Sequence, residues 1–324
     1  ISISAAMDNQ TSKQTKINTE NFRGNDSFSK IAIPSTIKTI CDYSFYSCES
    51  LCQIIIPSSV TSIKYSAFGR CQSLTEIRIP SSVKTLDDYT FDECYALKKI
   101  TFKEPCSLTS LGEKTFHKCK SLMQILIPSS IITIGIEAFS ECESLKQITI
   151  PFSVQTIKKG AFIRCSSLNQ VSFETPSSLN SIENYAFLNC SSLLEIVIPE
   201  SVNSFGVSVF EYCKSLKEVS IQSSATSIKS YMFADCTSLV KVTFSSSLTT
   251  IGENAFKNCS SITELFLPSS LKSIGRNAFI NCSSLKQIVI PLSVTSIGEN
   301  AFNNCTSLER MTVSTILDIS NIGL

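Results

Sequence analysis

The chain has 324 residues, with 28 Lys and Arg residues against 27 Asp and Glu residues and a formal net charge of +1 at pH 7. This balance lacks the basic excess of a nucleic-acid-binding surface, so we expect no nucleic-acid partner. Since no apolar run approaches the roughly 18 residues of a membrane span, we expect no membrane insertion of this segment.

Residues 1–16 are predicted to be an N-terminal extension outside the pattern that fills the rest of the chain. Ile1 to Gln10 have neither the basic region nor the sustained apolar stretch of a secretory signal. Position 1 is not Met, and two origins fit this. Either Met7 is the native start and residues 1–6 were added upstream of it, or the chain is cut from a longer protein.

From residue 17 to residue 324 we predict a single repeat array. A Cys recurs every 23 residues, twice every 25, with a Phe three positions before it and a Leu or Ile three positions after it. Apolar residues follow at the sixth and eighth positions after the Cys, and Pro often stands at the ninth. The Cys slot is filled by Asn25, Cys48, Cys71, Cys94, Cys119, Cys142, Cys165, Cys190, Cys213, Cys236, Cys259, Cys282 and Cys305.

The two longer intervals share one cause. The connection between Phe102 and Leu108 reads KEPCS, and that between Phe173 and Leu179 reads ETPSS, each two residues longer than the usual IPSSV connection. Insertions confined to one corner of the repeat are typical of a stacked array, because they map to loops on one face.

Each repeat is predicted to form one coil of a solenoid. The alternation after the Cys indicates a short strand with one buried face, which the Pro ends. The next apolar pair is a second extended piece or a turn. The spacing of Phe and Cys favours a single 3₁₀ or α turn. One repeat cannot bury enough apolar surface alone, so the fold class is an α/β repeat of about 13 stacked coils with a parallel sheet on one face.

Gly recurs at the corner after the second extended piece. Lys64, Asp87, Lys158 and Glu183 stand in its place in other repeats, so this corner does not strictly require glycine.

The repeat unit resembles the BspA-like, treponemal-type leucine-rich repeat, which also occurs in protozoan parasites. Leu285 to Cys305, LKQIVIPLSVTSIGENAFNNC, matches that pattern nearly slot for slot. The resemblance implies a right-handed leucine-rich-repeat solenoid. It also implies a cell-surface or secreted protein that adheres to host cells or to extracellular-matrix proteins.

The cysteines are predicted to be a reduced structural ladder rather than metal ligands or disulfides. Metal sites favour clustered C-x-x-C pairs, which the chain lacks. Cys41, Cys52 and Cys106 lie outside the ladder, and a Cys41–Cys52 bridge remains an alternative. His117 is the single histidine and occupies a slot of variable residue type, so we expect it to be exposed. We therefore expect no metal, no cofactor and no enzymatic activity.

Function is expected on the outward side of the strands, where the fifth and seventh positions after each Cys point to solvent. Phe266 beside Val289 is the largest apolar pair, and exposed apolar surface can mark a partner site. The alternative is that Thr and Val simply suit strands. The predicted binding face comprises Gln124, Leu126, Thr149, Glu195, Val197, Thr243, Glu264, Phe266, Gln287 and Val289.

Two functions fit these observations. The first is a protein-recognition or adhesion module on a cell surface. The second is a structural or intracellular scaffold protein without a host ligand.

Overall fold

The computed structural model describes residues 15–313, 317 and 319–323 of the chain. Over this range the backbone winds into a solenoid of about thirteen coils, and every recorded strand pairing is parallel and joins one coil to a neighbouring coil. Residues 1–14 of the predicted extension lie outside the described range. Lys16–Ile17 already pairs with Thr39–Ile40 of the following coil.

A first column of strands follows the predicted alternation of buried and exposed side chains. It is divided into runs of four, five and three hydrogen-bonded strands. The strands are Lys30–Ala32, Gln53–Ile55, Glu76–Ile79, Lys99–Phe102, Gln147–Ile150, Gln170–Phe173, Glu195–Ile198, Glu218–Ile221, Lys241–Thr243, Glu264–Phe266, Gln287–Val289 and Arg310–Thr312.

A second column of strands runs along another side of the coils, at the apolar pair that the sequence left open between strand and turn. Each strand has two residues, and the parallel runs contain four, five and four strands. The strands are Lys16–Ile17, Thr39–Ile40, Ser62–Ile63, Thr85–Leu86, Ser110–Leu111, Thr133–Ile134, Thr156–Ile157, Ser181–Ile182, Ser204–Phe205, Ser227–Ile228, Thr250–Ile251, Ser273–Ile274 and Ser296–Ile297.

The segments between Phe and Cys are consecutive turns, so the predicted 3₁₀ or helical turns are not confirmed. In one coil the Cys165 N–H donates to the Phe162 carbonyl at 3.2 Å, while the Phe162 N–H donates to Ala186 of the next coil at 2.8 Å. Gly160 and Arg164 have φ of 62° and 59°. Left-handed residues at both positions end any helical path and send backbone groups towards the next coil.

Among the described residues the one α-helix is Thr19–Phe22, a single turn before the first complete coil. No helix in this part of the chain is long and apolar enough to cross a membrane.

The centre of the core is a continuous column of phenylalanine rings, one from each coil. Successive ring centroids lie between 5.1 and 5.7 Å apart, with planes inclined by 2° to 22°. Such stacked pairs add to the stabilisation that comes from apolar burial. The column comprises Phe22, Phe45, Phe68, Phe91, Phe116, Phe139, Phe162, Phe187, Phe210, Phe233, Phe256, Phe279 and Phe302.

The corner glycines of the last coils are held against the backbone of the preceding coil. A β-carbon on Gly275 would lie 2.6 Å from the carbonyl carbon of Gly252 and 2.7 Å from the Glu253 nitrogen. Gly298 approaches Gly275 in the same way, at 2.6 Å. The corner tolerates side chains in some coils, but these coils are packed too closely for one.

We therefore expect Gly275→Ala to lower the free energy of unfolding by about 1–3 kcal/mol, because the backbone of the neighbouring coil must shift to admit the methyl group. Urea unfolding followed by circular dichroism measures the change. The matched control is Asp87→Ala in the same slot, where only a half-exposed ion pair to Lys64 at 3.4 Å is lost and less than about 1 kcal/mol is expected. Equal effects of the two substitutions would contradict the close packing at Gly275.

Candidate functional site

The residues of the predicted binding face lie on the outward side of the first strand column. Leu265 and Ile288 are buried, whereas Phe266 and Val289, which are partners in register, are 75% and 61% exposed. Leu126 is 79% exposed and Val197 52% exposed. Each of these four apolar side chains leaves at least half of its area in solvent, and that area is available to a partner.

Gln124, Leu126 and Thr149 lie together in one cleft of about 480 Å³. Its walls carry polar side chains, among them Lys99 and Glu104. The cleft is located where the sheet is interrupted. Lys99 is joined to Gln124 by a single bridge, and within the described part of the chain no ladder pairing joins Gln124 to Gln147.

Three isoleucines contribute to the lining of this first cleft. Ile100, Ile125 and Ile148 line it, yet their side chains are buried in the core. The interrupted sheet therefore presents backbone amide and carbonyl groups to solvent next to amide and hydroxyl side chains. That chemistry suits hydrogen bonding to a polar ligand, with Leu126 as an apolar contact.

Glu195 and Val197 line a second cleft of about 780 Å³. Phe173, Pro176 and Pro199 form much of its apolar wall. Pro176 belongs to the second two-residue insertion, just as Glu104 of the first cleft belongs to the first insertion. Both insertions thus line clefts beside the strand face, and this face is therefore not flat.

The remaining predicted residues form a third area. Gln287 Nε2 donates to Glu264 Oε2 at 3.2 Å in a shallow cleft that also contains Lys286 and Arg310. Phe266 and Val289 adjoin it as an open apolar pair. Thr243 is paired with Ser220 in the neighbouring sheet run, and no pairing joins its strand to Glu264–Phe266 among the described residues. The structure therefore distributes the predicted residues over three areas of one face.

Every cysteine of the ladder donates a hydrogen bond from Sγ to the carbonyl of the Phe in the preceding coil. The distances run from 2.9 Å, for Cys48 to Phe22, to 3.3 Å, for Cys119 to Phe91. Asn25 in the same slot is half-buried, and its side-chain oxygen instead accepts from the Ser27 N–H at 2.9 Å.

Burial raises the pKa of each ladder thiol. The pKa reaches about 11 for Cys48 and Cys305 and about 12 for Cys165 and Cys213. A neutral, buried thiol is a poor nucleophile and a poor metal ligand. Cys41, Cys52 and Cys106 are half-buried, and all three are free thiols. Across the described residues no three His, Cys, Asp or Glu side chains are grouped so as to hold a metal ion.

His117 is half-buried and paired, so the prediction of a freely exposed side chain is wrong. Its Nδ1 lies 2.7 Å from Asp92 Oδ1 of the preceding coil. A carboxylate also orients a catalytic histidine, but no hydroxyl or thiol is recorded within hydrogen-bonding distance of His117 in the described range.

Two features of the surface were not predicted from the sequence. Tyr43, Tyr65 and Tyr89 form a chain of ring contacts at 5.4 and 5.3 Å along the turns of the first coils. Arg23 lies 5.2 Å from the Tyr43 ring centre. The clustering of five of the eight tyrosines before residue 96 was the available signal. The sequence held a weaker signal for the cleft walls, namely the two insertions.

A family model for the BspA type leucine-rich-repeat region matches the chain in six copies, over residues 15–122, 109–239 and 204–323. No curated protein sequence matches. A leucine-rich repeat protein from Bacteroides ovatus is similar in structure, with 30% identity, a TM-score of 0.73 and coverage of 92% of this chain and 82% of that one.

Two further solved structures are similar in fold. A leucine-rich repeat protein from Eubacterium ventriosum has 21% identity and a TM-score of 0.57, over 94% of this chain and 90% of that one. The pneumococcal vaccine antigen PcpA has 22% identity and a TM-score of 0.52, over 89% of this chain and 69% of that one.

Proposed function

Because the chain belongs to the BspA-type leucine-rich-repeat family, we propose that it is a non-enzymatic recognition module that binds host-cell or extracellular-matrix proteins through the outward side of its first strand column. We further propose that it acts at a cell surface or after secretion. This location follows from the resemblance of its repeats to those of surface adhesins.

The observation that carries the proposal is the exposure of large apolar side chains on the outward side of the first strand column. Leu126, Phe266 and Val289 stand on strands and coils whose alternate residues are locked in the core. Partner-binding energy is concentrated at such anchors when polar groups surround them. The clefts beside Leu126 and Val197 supply those polar groups.

Leu126→Lys combined with Phe266→Lys should weaken attachment to immobilised matrix proteins or host cells by at least about tenfold, since burying an apolar anchor contributes roughly 2 kcal/mol or more and a buried lysine opposes it. Surface plasmon resonance on a panel of matrix proteins, and cell attachment, measure the change.

The matched control is Ile136→Lys, which alters an exposed apolar residue in a turn segment away from the strand face. Both variants must retain the circular dichroism spectrum of the parent. Equal attachment by the two folded variants would place the binding surface elsewhere. Cytosolic location of the tagged native protein would contradict the surface location and favour a scaffold role.

A further inference from the structure

The serine two positions after the usual Pro has a fixed partner in most coils. Its hydroxyl donates to the backbone carbonyl at the start of the second extended piece in the preceding coil, at 2.7 Å for Ser59 to Ile37 and 2.6 Å for Ser293 to Leu271. The same bond is made by Ser82, Ser153, Ser224, Ser247 and Ser270.

Ser130 and Ser201 occupy this position but have no hydrogen-bond partner, although their hydroxyl oxygens are buried. Both belong to a coil that directly follows a two-residue insertion. The insertion displaces the corner that would have supplied the carbonyl. A buried hydroxyl without a partner is unfavourable. Ser201 is also one of the residues that line the second cleft.

The wall of the second cleft is anchored. Glu174, at the start of the insertion, accepts from the Phe152 N–H at 3.1 Å, and the Ser178 N–H donates to the Phe152 carbonyl at 3.0 Å. These bonds hold Pro176 above the strand face opposite Val197 and Pro199, so the cleft is preformed and its walls are largely apolar.

The acidic groups of the cleft have no cation of their own. Glu195 lies in register beside Glu218, and like charges placed opposite each other on a sheet repel. Lys241 pairs with Glu218 at 3.5 Å. Within the described part of the chain, no Lys or Arg nitrogen lies within 4.0 Å of the Glu195 or Glu200 carboxylates.

We propose that this cleft binds a basic side chain of a partner protein, arginine in preference to lysine. The aliphatic stem packs against Phe173, Pro176 and Val197. The positive charge of the guanidinium group is attracted by the carboxylates of Glu195 and Glu200, which both line the cleft. Arginine is preferred because its five donors and weak hydration suit several acceptors in a partly apolar site. This inference rests on the proposed function for its biological meaning.

The test is a titration of the isotope-labelled full chain with acetyl-Gly-Gly-Arg-Gly-Gly-amide, followed by amide NMR shifts. We expect saturable shifts at Thr175, Val197 and Ser201. The citrulline peptide has the same shape without the charge, and it should bind at least about tenfold more weakly. Glu195→Gln combined with Glu200→Gln should reduce affinity for the arginine peptide by a similar factor.

Glu76→Gln is the matched control, because Glu76 occupies the same column as Glu195 but lies outside the cleft and outside the predicted binding face. It should leave the titration unchanged. Equal binding of the arginine and citrulline peptides, or undiminished binding by the folded double variant, would overturn the inference. The titration needs no partner protein. Matrix binding with a negative titration would remove this inference alone, and a positive titration without any attachment would remove the proposed function alone.

Discussion

At pH 10 the protein should unfold under conditions in which it is stable at pH 7. The cause is the ladder of twelve buried thiols. In the folded state, burial raises the pKa of each of these thiols. In the unfolded chain a cysteine thiol has a pKa of about 8.5. Between these values the folded state keeps protons that the unfolded state releases, so rising pH favours unfolding.

The sign and size follow from proton linkage. The stabilisation that comes from neutral buried thiols is fully present below about pH 8.5 and is lost as the pH rises towards the folded-state pKa. Each thiol contributes about 1.4 kcal/mol per pH unit in that window. The stabilisation lost by pH 10, summed over twelve such thiols, exceeds the free energy of unfolding of a typical domain, which is roughly 5–15 kcal/mol.

Urea unfolding in the presence of a reductant, at several pH values from 8 to 10, gives the number of protons released. Cys165→Ser is the matched variant. Its hydroxyl can retain the bond that Sγ of Cys165 makes to the Phe139 carbonyl at 3.1 Å, and it does not titrate, so the count should fall by one. A release of fewer than about six protons would contradict titration of the ladder as a set.

Phe162→Ala should lower the free energy of unfolding by about 3–5 kcal/mol, the range for removing a buried aromatic ring. The Phe162 ring is fully buried between Phe139 and Phe187, with centroids at 5.2 and 5.1 Å and planes inclined by 3° on both sides. Its loss removes two stacking contacts as well as apolar burial, and rigid neighbouring coils cannot close the cavity.

Hydrogen exchange locates this effect, because each coil of a repeat array contacts chiefly its neighbours. Protection should fall most in the coils of Phe139 and Phe187. Phe266→Ala is the control, since that ring is 75% exposed and its truncation should cost less than about 0.5 kcal/mol. Similar losses for the two variants would mean that the ring column is not the main support of the stack.

The stacking of the coils and the strand column at the sixth and eighth positions after the Cys could be predicted because each rests on a period repeated along most of the chain. Leu265 buried beside an exposed Phe266 is one instance. For the second strand column the sequence left a strand and a turn open as alternatives. Two residues, such as Thr156–Ile157, are too few to show an alternation that distinguishes a strand from a turn.

The predicted 3₁₀ or helical turns are not confirmed, and the reason is local. Asn254 and Asn258 have φ of 54° and 60°, and Asn is a residue that favours this conformation. In earlier coils the same positions hold residues such as Tyr89 and Glu93, with φ of 59° and 57°. Their types suggest no left-handed backbone, so the spacing of Phe and Cys resembled a helical turn.

The division of the face into three areas depends on distances between coils, which no single repeat encodes. The insertion near Glu104 was visible in the sequence, but its position above the strand face was not. The lack of a hydrogen-bond partner for the Ser201 hydroxyl likewise depends on the insertion in the preceding coil. The residue type at position 201 does not reveal it.

The interruptions of the first strand column have a mechanical consequence. In the proposed adhesion role, a pull between a cell and its substrate would place the coils under tension. Where Lys241–Thr243 and Glu264–Phe266 lack pairing, the strand side has no backbone hydrogen bonds to share the load. Phe233 and Phe256 still stack at 5.3 Å across that step. Under load the solenoid should therefore bend open on the side of the first strand column and hinge about the ring column, so the shape of that face should change with force.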